Sequence, residues 1–382
     1  SLEFGGLSNY WGLQIDKNIK KDLTHYSAKT QKKIINSFIE IFNKENLLGK
    51  VDENNQNLFE KNPYIDEEFL KNNKFLKTEE PILAFQKKVR GKKINLNLIN
   101  EKKDSLTANN FFKRNLKNRK IIFHNYFVEK ISKYKKKIIL QCSNGLQKKT
   151  FITKKLVLGC GTLVTTKLVM DYLKINKELK INHHPRLFSL YFSKKKWINK
   201  MNFQPSHFHL KLKKNPSLFT ADFRPGNKLI IDALIKFKKI LFPLKFLLNF
   251  LREYFIFSNI FIHPKYSNLY IKKQNNHFVI YSKKNYQNRL FKEFGKKIYT
   301  FLKSSKKIFP LYINYFPGYG ADFHYFGTLL MGNLKKSILN ENCQLNKNKN
   351  IYIVDGSALK FQNNKYPLGV IMANARRIGK EI

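Results

Sequence analysis

The feature that most constrains the fold is the end of an apolar strand near the C-terminus. Residues 351–354 are β-branched or aromatic, and the run stops at Asp-Gly-Ser, residues 355–357. Pro367 then opens residues 368–378, which have the pattern of a helix. In a doubly wound sheet, ligands bind where a strand ends in small polar residues and a helix follows. The pattern therefore predicts an α/β fold with a cofactor site at this edge.

Composition limits the class of protein. The 382 residues can bury a sizeable core and form two domains, and 42% hydrophobic with 14% aromatic residues exclude a disordered chain. The net charge is +47. Lysines are scattered along the whole sequence beside asparagine and isoleucine, so we interpret the charge as compositional bias and do not expect nucleic acid as a partner. Contact with a polyanion or an anionic membrane stays open as an alternative.

Several features bear on the compartment. Cys142, Cys160 and Cys343 have no metal or CxxC spacing, which is typical of reduced thiols in a cytoplasmic protein. No signal peptide is recognised, and no uncharged apolar stretch of about eighteen residues predicts a spanning helix. Residues 229–261 are basic and apolar, which indicates a helix that covers a core or, alternatively, one that lies on a membrane interface. We therefore expect a cytoplasmic protein, with peripheral membrane contact as the alternative.

A second strand end lies near the middle of the chain. Residues 155–158 form a short apolar strand that ends at Gly159 and Gly161, and residues 165–173 follow as a predicted helix. Glycine is needed where backbone must approach a cofactor closely. Residues 183–284 alternate between apolar and polar, which predicts a largely antiparallel sheet suited to the floor of a substrate chamber.

Four short motifs occur in a fixed order along the chain. They are Gly5-Gly6-Leu-Ser8-Asn9-Tyr-Trp11-Gly12, Leu156-Val-Leu-Gly-Cys-Gly161-Thr162, His324-x-x-Gly327-Thr328-x-x-Met331-Gly332 and Val354-Asp355-Gly-Ser357. In this combination the chain resembles the glucose-methanol-choline (GMC) family of flavoprotein oxidoreductases, and the resemblance extends to Met-Ala-Asn-Ala-x-Arg-Ile at residues 372–378. It hardly covers residues 17–110. The GxGxxG turn and the acidic ribose ligand that open a family member are absent, which predicts a truncated N-terminus.

The resemblance implies a FAD/NAD(P)-binding Rossmann-like domain joined to a substrate domain with an antiparallel sheet. The FAD-binding domain is expected in residues 1–16, 118–175 and 340–382, a helical or cap region in residues 17–117, and the substrate domain in residues 176–339. FAD is the implied cofactor. Its implied contacts are Gly5, Gly6, Ser8, Asn9, Val128, Gly161, Asp355, Gly356, Pro367 and Leu368.

The implied reaction is oxidation of a CH–OH group in an alcohol or sugar-type substrate, with hydride passing to flavin N5. His324 is then the proton acceptor, for which a neutral imidazole is suited. Tyr366 falls where the family has His or Asn, and we expect it to hydrogen-bond the substrate. The other histidines are interpreted as core residues, and no metal site is expected. The electron acceptor is left open.

Two other classes of function are compatible with the sequence. A catalytically silent relative, kept as a scaffold, is favoured by the absent GxGxxG turn and by Tyr366. A protein that binds polyanions or a membrane surface is favoured by the charge of +47 and by residues 229–261. An upstream reading frame that encodes a strand, GxGxxG and a helix would support the enzyme.

Overall fold

The computed structural model describes residues 14–16, 19–44, 48–50, 76–79, 82–84, 122–196, 208–216, 218–226, 228, 231–232, 235, 239–275, 277–283, 288–321, 324–332, 337–362 and 365–382. Its strands are β1 (Gln14–Ile15), β2 (Leu48–Lys50), β3 (Leu76–Glu79), β4 (Ile82–Ala84), β5 (Phe127–Tyr134), β6 (Lys137–Ser143), β7 (Lys148–Thr153), β8 (Leu156–Leu158), β9 (Leu179–Ile181), β10 (Arg186–Ser193), β11 (Phe208–Leu212), β12 (Phe219–Pro225), β13 (Phe255–Ile262), β14 (Leu269–Gln274), β15 (His277–Ser282), β16 (Ile308–Tyr315), β17 (Gln344–Leu345) and β18 (Asn348–Ile353). Its α-helices are α1 (Lys20–Leu23), α2 (Ala28–Ile39), α3 (Thr162–Leu173), α4 (Lys245–Phe250), α5 (Asn288–Ser304) and α6 (Leu368–Gly379). The α/β fold class predicted from the sequence is confirmed.

The largest sheet has six antiparallel strands in the order β16-β10-β13-β12-β11-β3. Successive side chains of a strand point to opposite faces, so each strand offers one row to each side. The apolar row packs against α5, which supplies the other half of a core. The buried residues of this core include Phe219, Phe223, Ile256 and Ile260 from the sheet and Phe291, Phe294 and Ile298 from α5. The antiparallel sheet expected from the alternating pattern is therefore present.

The opposite face of the same sheet is polar at its centre. His209 is paired with Asp222, Asp222 with Asn259, and Asn259 with Phe188, so these four side chains form one row across the sheet. The three polar members are almost fully buried. Their burial shows that other parts of the chain cover this face of the sheet. Buried polar groups need hydrogen-bond partners, so this face is a candidate wall for a site.

A second sheet carries the predicted strand end. β18 runs parallel to β8, with Ile351 opposite Leu156 and Ile353 opposite Leu158, while β17 pairs antiparallel to β18. The strands are flanked by α3 and α6, and all contribute to one buried cluster that also contains α2. In that cluster Gly369 of α6 lies so close to α2 that an added Cβ would be 3.1 Å from Phe38 Cε2.

The sequence motif at residues 372–378 has a packing role in α6. Arg377 is buried and donates to the carbonyl oxygen of Glu341 at 2.9 Å and to Asn374 Oδ1 at 2.7 Å. Asn374 in turn lies 3.3 Å from Cys343 Sγ. These contacts fix α6 against the turn that precedes β17.

The segment of residues 229–261 is not one helix. Residues 231, 232 and 235 are helical, and from Lys239 onward the segment consists of a 3₁₀ turn at Lys239–Leu244 that contains Pro243, the short helix α4, a second 3₁₀ turn at Arg252–Tyr254 and then strand β13. Pro243 lacks a backbone N–H and lies two residues before α4, so the six-residue helix does not extend back through the 3₁₀ turn. Across the described ranges, no helix has both the length and the apolar character needed to span a bilayer.

Candidate active site

The two parallel strands end side by side. Val354 N, just past β18, donates to the carbonyl oxygen of Leu158 at the end of β8, at 2.9 Å. Beyond these ends lie the Gly159–Gly161 turn with α3 and the turn that begins at Asp355. The carboxyl ends of parallel strands are where α/β folds bind ligands. The structure therefore brings together the two strand ends that the sequence singled out, Gly161 and Asp355.

The carboxyl group of Asp355 ties this edge together. One oxygen accepts from Ser357 N at 3.0 Å and from Ser357 Oγ at 2.5 Å, and the other accepts from Thr165 Oγ1 of α3. Burial raises the pKa of Asp355, against these hydrogen bonds, which lower it. Because the carboxyl group of Asp355 accepts hydrogen bonds from within the protein, a ligand at this turn would contact backbone N–H and C=O groups.

The two glycines at these strand ends, Gly161 and Gly356, differ in the space around them. Gly161 has φ +84° at the N-terminus of α3, and no heavy atom of the described residues lies within 4 Å of where its Cβ would be. Gly356 is closely packed, since an added Cβ would lie 2.9 Å from Thr162 Oγ1 and 3.0 Å from the carbonyl oxygen of Tyr325. Gly161 therefore leaves room for a ligand beside a helix N-terminus. Gly356 allows its turn to pack closely against Thr162 and the backbone of Tyr325.

The His324 turn is fastened to the Asp355 turn by backbone hydrogen bonds. Gly327 N donates to the carbonyl oxygen of Gly356 and Leu329 N to that of Ser357, both at 2.9 Å. Thr162 Oγ1 of α3 donates to the carbonyl oxygen of Tyr325 at 2.7 Å. Three motifs that are far apart in sequence thus form one connected cluster.

The ring of His324 lies in an aromatic setting. It stacks on Phe261 of β13, with 5.3 Å between ring centroids and 15° between planes, and it meets His184 edge-on at 6.5 Å. His184 is fully buried, and burial, followed by Lys365 and His324 itself, holds the pKa of His184 well below its ordinary value. His184 is therefore neutral, and the side chain of His324 is half-buried.

Tyr366 lies on another side of the same Phe261 ring, with 5.9 Å between centroids in an edge-on arrangement. Its hydroxyl shares a hydrogen bond with His209 Nε2 at 3.2 Å, and the two rings stack at 5.3 Å. Burial, followed by the charge of Asp222, raises the pKa of Tyr366 well above its ordinary value. The phenol therefore stays protonated, and its one proton can be donated to a ligand when His209 Nε2 is the donor in their shared hydrogen bond. The two predicted catalytic side chains, His324 and Tyr366, contact one ring.

Charged groups of the polar sheet face continue the wall beside Tyr366. Arg224 donates to Asp222 Oδ2 at 2.6 Å, and Asn259 N donates to Asp222 Oδ1 at 2.8 Å. Arg186 donates to Asn259 Oδ1 through two nitrogens, at 3.0 and 2.6 Å, and lies over Phe261 at 5.4 Å. The hydrogen bonds fix the orientation of the Asp222 carboxylate near Tyr366.

The remaining predicted cofactor contacts are distributed as follows. Ile371, in the first turn of α6, would lie 3.3 Å from a Cβ on Gly356, so the helix end at Pro367 and Leu368 adjoins the cluster. Val128 lies half-buried on β5, which packs near α3. Gly5, Gly6, Ser8 and Asn9 lie outside the described residues. Within the described ranges, no group of three His, Cys, Asp or Glu side chains could hold a metal ion.

The sequence pattern does not single out two histidines of this site. It predicts His184 and His209 as core residues, whereas the structure places His184 against His324 and His209 against Tyr366. The alternating pattern around His209 indicated a strand with two faces. It does not indicate which face meets the C-terminal segment, because that depends on the register of β11, β12 and β13.

Lys365, next to Tyr366, is buried to 1% exposure and donates to the carbonyl oxygen of Gln362 at 3.3 Å. Burial lowers the pKa of Lys365 to about 7, with Asp22 acting in the opposite direction. An unfolded lysine has a pKa of about 10.4. Between these two values the unfolded chain binds more protons than the folded chain, so the free energy of unfolding rises with pH in that window.

We expect the Lys365→Met variant to lose this pH dependence. From pH 7 to pH 9 the wild-type protein should gain about 2 kcal/mol of stability relative to Lys365→Met, measured by chemical denaturation. Exposed Lys133, on β5, provides a matched control, because Lys133→Met should keep the wild-type slope. Parallel pH profiles for wild type and Lys365→Met would contradict the shifted pKa.

No family model matches the sequence, and no curated protein matches it. Among solved structures, the chain is similar to pyridoxine 4-oxidase from Mesorbium loti, with a TM-score of 0.54 and 13% sequence identity over 80% of this chain. The aligned region covers 64% of the oxidase, so the chain spans less than two thirds of its length. At this identity the likeness establishes a shared fold.

Proposed function

We propose that the protein is an FAD-dependent oxidoreductase that oxidises a CH–OH group of an alcohol or sugar-type substrate. One observation carries the proposal: the cofactor edge at Gly161 and Asp355 and the side chains of His324 and Tyr366 belong to one hydrogen-bonded and aromatic cluster. The fold shared with an oxidase supports it.

The residues at the strand ends fit a dinucleotide cofactor. The open space before Gly161 lies at the N-terminus of α3, and the N-terminus of α6 adjoins Gly356. A helix N-terminus carries partial positive charge and unpaired N–H groups, which suit phosphates and other anionic groups. Gly161, the backbone of the Asp355 turn and the start of α6 are thus the proposed FAD contacts. Bound FAD would supply the acceptor for the hydride.

His324 is the proposed proton acceptor. As the substrate C–H bond breaks with loss of hydride, the hydroxyl proton must leave the oxygen, and a half-buried imidazole can take it. Stacking on Phe261 limits the rotation of the His324 ring. His184, kept neutral by burial, adds no positive charge that would oppose protonation of His324.

Tyr366 is the proposed positioning group for the substrate oxygen. Its phenol stays protonated, and the hydrogen bond and ring stacking with His209 restrict its motion. A fixed donor stabilises negative charge that develops on a substrate oxygen. His209 therefore acts through Tyr366. It lies on the polar face of the six-stranded sheet, which faces the C-terminal segment.

The proposal is tested with the protein encoded by the complete reading frame that contains this chain. Under anaerobic conditions, mixing with primary alcohols, secondary alcohols and sugars should bleach the visible absorbance of the bound flavin with at least one of them. A folded, flavin-loaded protein that none of the compounds reduces would contradict CH–OH oxidation. It would favour a silent relative.

A further inference from the structure

An exposed apolar surface lies in the segment that connects strands β12 and β13. In the 3₁₀ turn Lys239–Leu244 and helix α4, large apolar side chains point to solvent, with exposed fractions from 47% to 86%. We call this surface the apolar ridge. Its members are Ile240, Phe242, Leu244, Phe246, Leu247 and Phe250.

The ridge is held on the protein by its other side. Leu248 and Leu251 pack against a small buried cluster that contains Leu190 and Phe255 of the large sheet. Phe246 and Phe250, four residues apart, form one outward-facing pair on α4, with exposed fractions of 86% and 75%. The segment is therefore anchored, and Phe246 and Phe250 are not among the described residues that pack in this cluster.

Charge identifies the kind of surface that fits the ridge. From Lys239 to Tyr254 the sequence has three basic residues, Lys239, Lys245 and Arg252, and one acidic residue, Glu253. Lys245 lies 3.3 Å from Asp232 in an exposed ion pair, which contributes little and is screened by salt. Exposed apolar side chains flanked by basic residues are typical of segments that lie in the interface of an anionic membrane.

Two other partners could cover the apolar ridge, a second copy of the chain and a nucleic acid, and both are disfavoured. Two copies that meet through the ridge would bring together molecules of net charge +47 each, whereas an anionic bilayer attracts them. A nucleic acid would contact the lysines through its phosphates, and its bases could stack on the phenylalanine rings, but it offers no apolar environment for the exposed aliphatic side chains Ile240, Leu244 and Leu247.

We propose that the apolar ridge docks the protein on an anionic lipid bilayer. Phe246 and Phe250 enter the boundary between headgroups and acyl chains, and Lys239, Lys245 and Arg252 contact lipid phosphates. The inference does not depend on the proposed oxidoreductase function.

The test is co-sedimentation with vesicles of phosphatidylcholine alone or mixed with phosphatidylglycerol. The wild-type protein should bind the mixed vesicles, and Phe246→Asp should weaken that binding at least about tenfold. Leu146, exposed to 94% in the β6–β7 turn, provides the control, because Leu146→Asp makes the same charge change elsewhere. The control should lower binding by less than about twofold.

A second variant tests insertion without adding charge. Phe246→Trp should show a blue shift of its fluorescence when mixed vesicles are added. Equal losses for Phe246→Asp and Leu146→Asp, or an unshifted fluorescence spectrum for the vesicle-bound Phe246→Trp variant, would overturn the proposal in favour of charge-only adhesion. A vesicle-free dimer that Phe246→Asp converts to monomer would overturn it in favour of self-association.

Discussion

The variant His324→Ala is expected to oxidise its substrate about 10²–10⁴-fold more slowly than the wild-type protein, the range that one positioned proton acceptor contributes. The imidazole stacks on Phe261 and is only half-buried, so its removal leaves the hydroxyl proton without an acceptor at that place. The measurement is the anaerobic rate of flavin bleaching at saturating substrate. Flavin content should stay near the wild-type level, because the substitution leaves the Gly161 turn and the Asp355 carboxyl group unchanged.

Tyr366→Phe serves as the comparison for this experiment. It keeps the ring against Phe261 and His209 and removes the hydroxyl alone. Loss of one hydrogen bond to a developing charge is expected to slow the reaction about tenfold. A rate for His324→Ala within threefold of wild type, or a larger loss for Tyr366→Phe than for His324→Ala, would contradict the assigned roles.

Replacement of Asp355 by alanine is expected to lower the free energy of unfolding by about 3 kcal/mol. The change leaves the buried N–H and hydroxyl of Ser357 and the hydroxyl of Thr165 without their acceptor. We expect no larger loss, because burial already raises the pKa of Asp355 and so penalises its charged form. Chemical denaturation of both proteins measures the difference.

Two variants define the cause of that loss. Asp355→Asn keeps the size and one acceptor oxygen, so it should lose less stability than Asp355→Ala. Asp171, on the same helix α3 as Thr165, forms a partly exposed ion pair with Lys273 at 2.6 Å, and Asp171→Ala should change stability by less than about 1 kcal/mol. A loss below about 1 kcal/mol for Asp355→Ala would show that the carboxyl group does not tie the strand ends together.

The parts of the site that follow from local sequence could be predicted. The turn after a buried strand, the start of α3 and the helix after Pro367 each depend on a few neighbouring residues. The structure has them within three residues of the predicted places, since α3 begins at Thr162 rather than Thr165. Strand ends are recognisable because glycine and small polar residues interrupt an apolar run.

The contacts between distant elements could not be predicted in the same way. His209 meets Tyr366 because β11, β12 and β13 align in one particular register, and a shift of one residue would turn His209 to the opposite face. His184 meets His324 because the short bridge between Asn182 and Phe326 joins two loops. The break in residues 229–261 does not follow from hydrophobic composition, which predicts a single helix although Pro243 interrupts the segment.

The central claim is that the strand ends at Gly161 and Asp355, together with the start of α6, hold FAD beside His324. The most direct measurement is the cofactor released when the purified product of the complete reading frame is denatured, identified by mass and absorbance. We expect FAD at about one molecule per chain, reduced in amount by Gly161→Val, which fills the open space at that helix end. A folded wild-type protein that carries no flavin, and takes up none when FAD is added, would contradict the account.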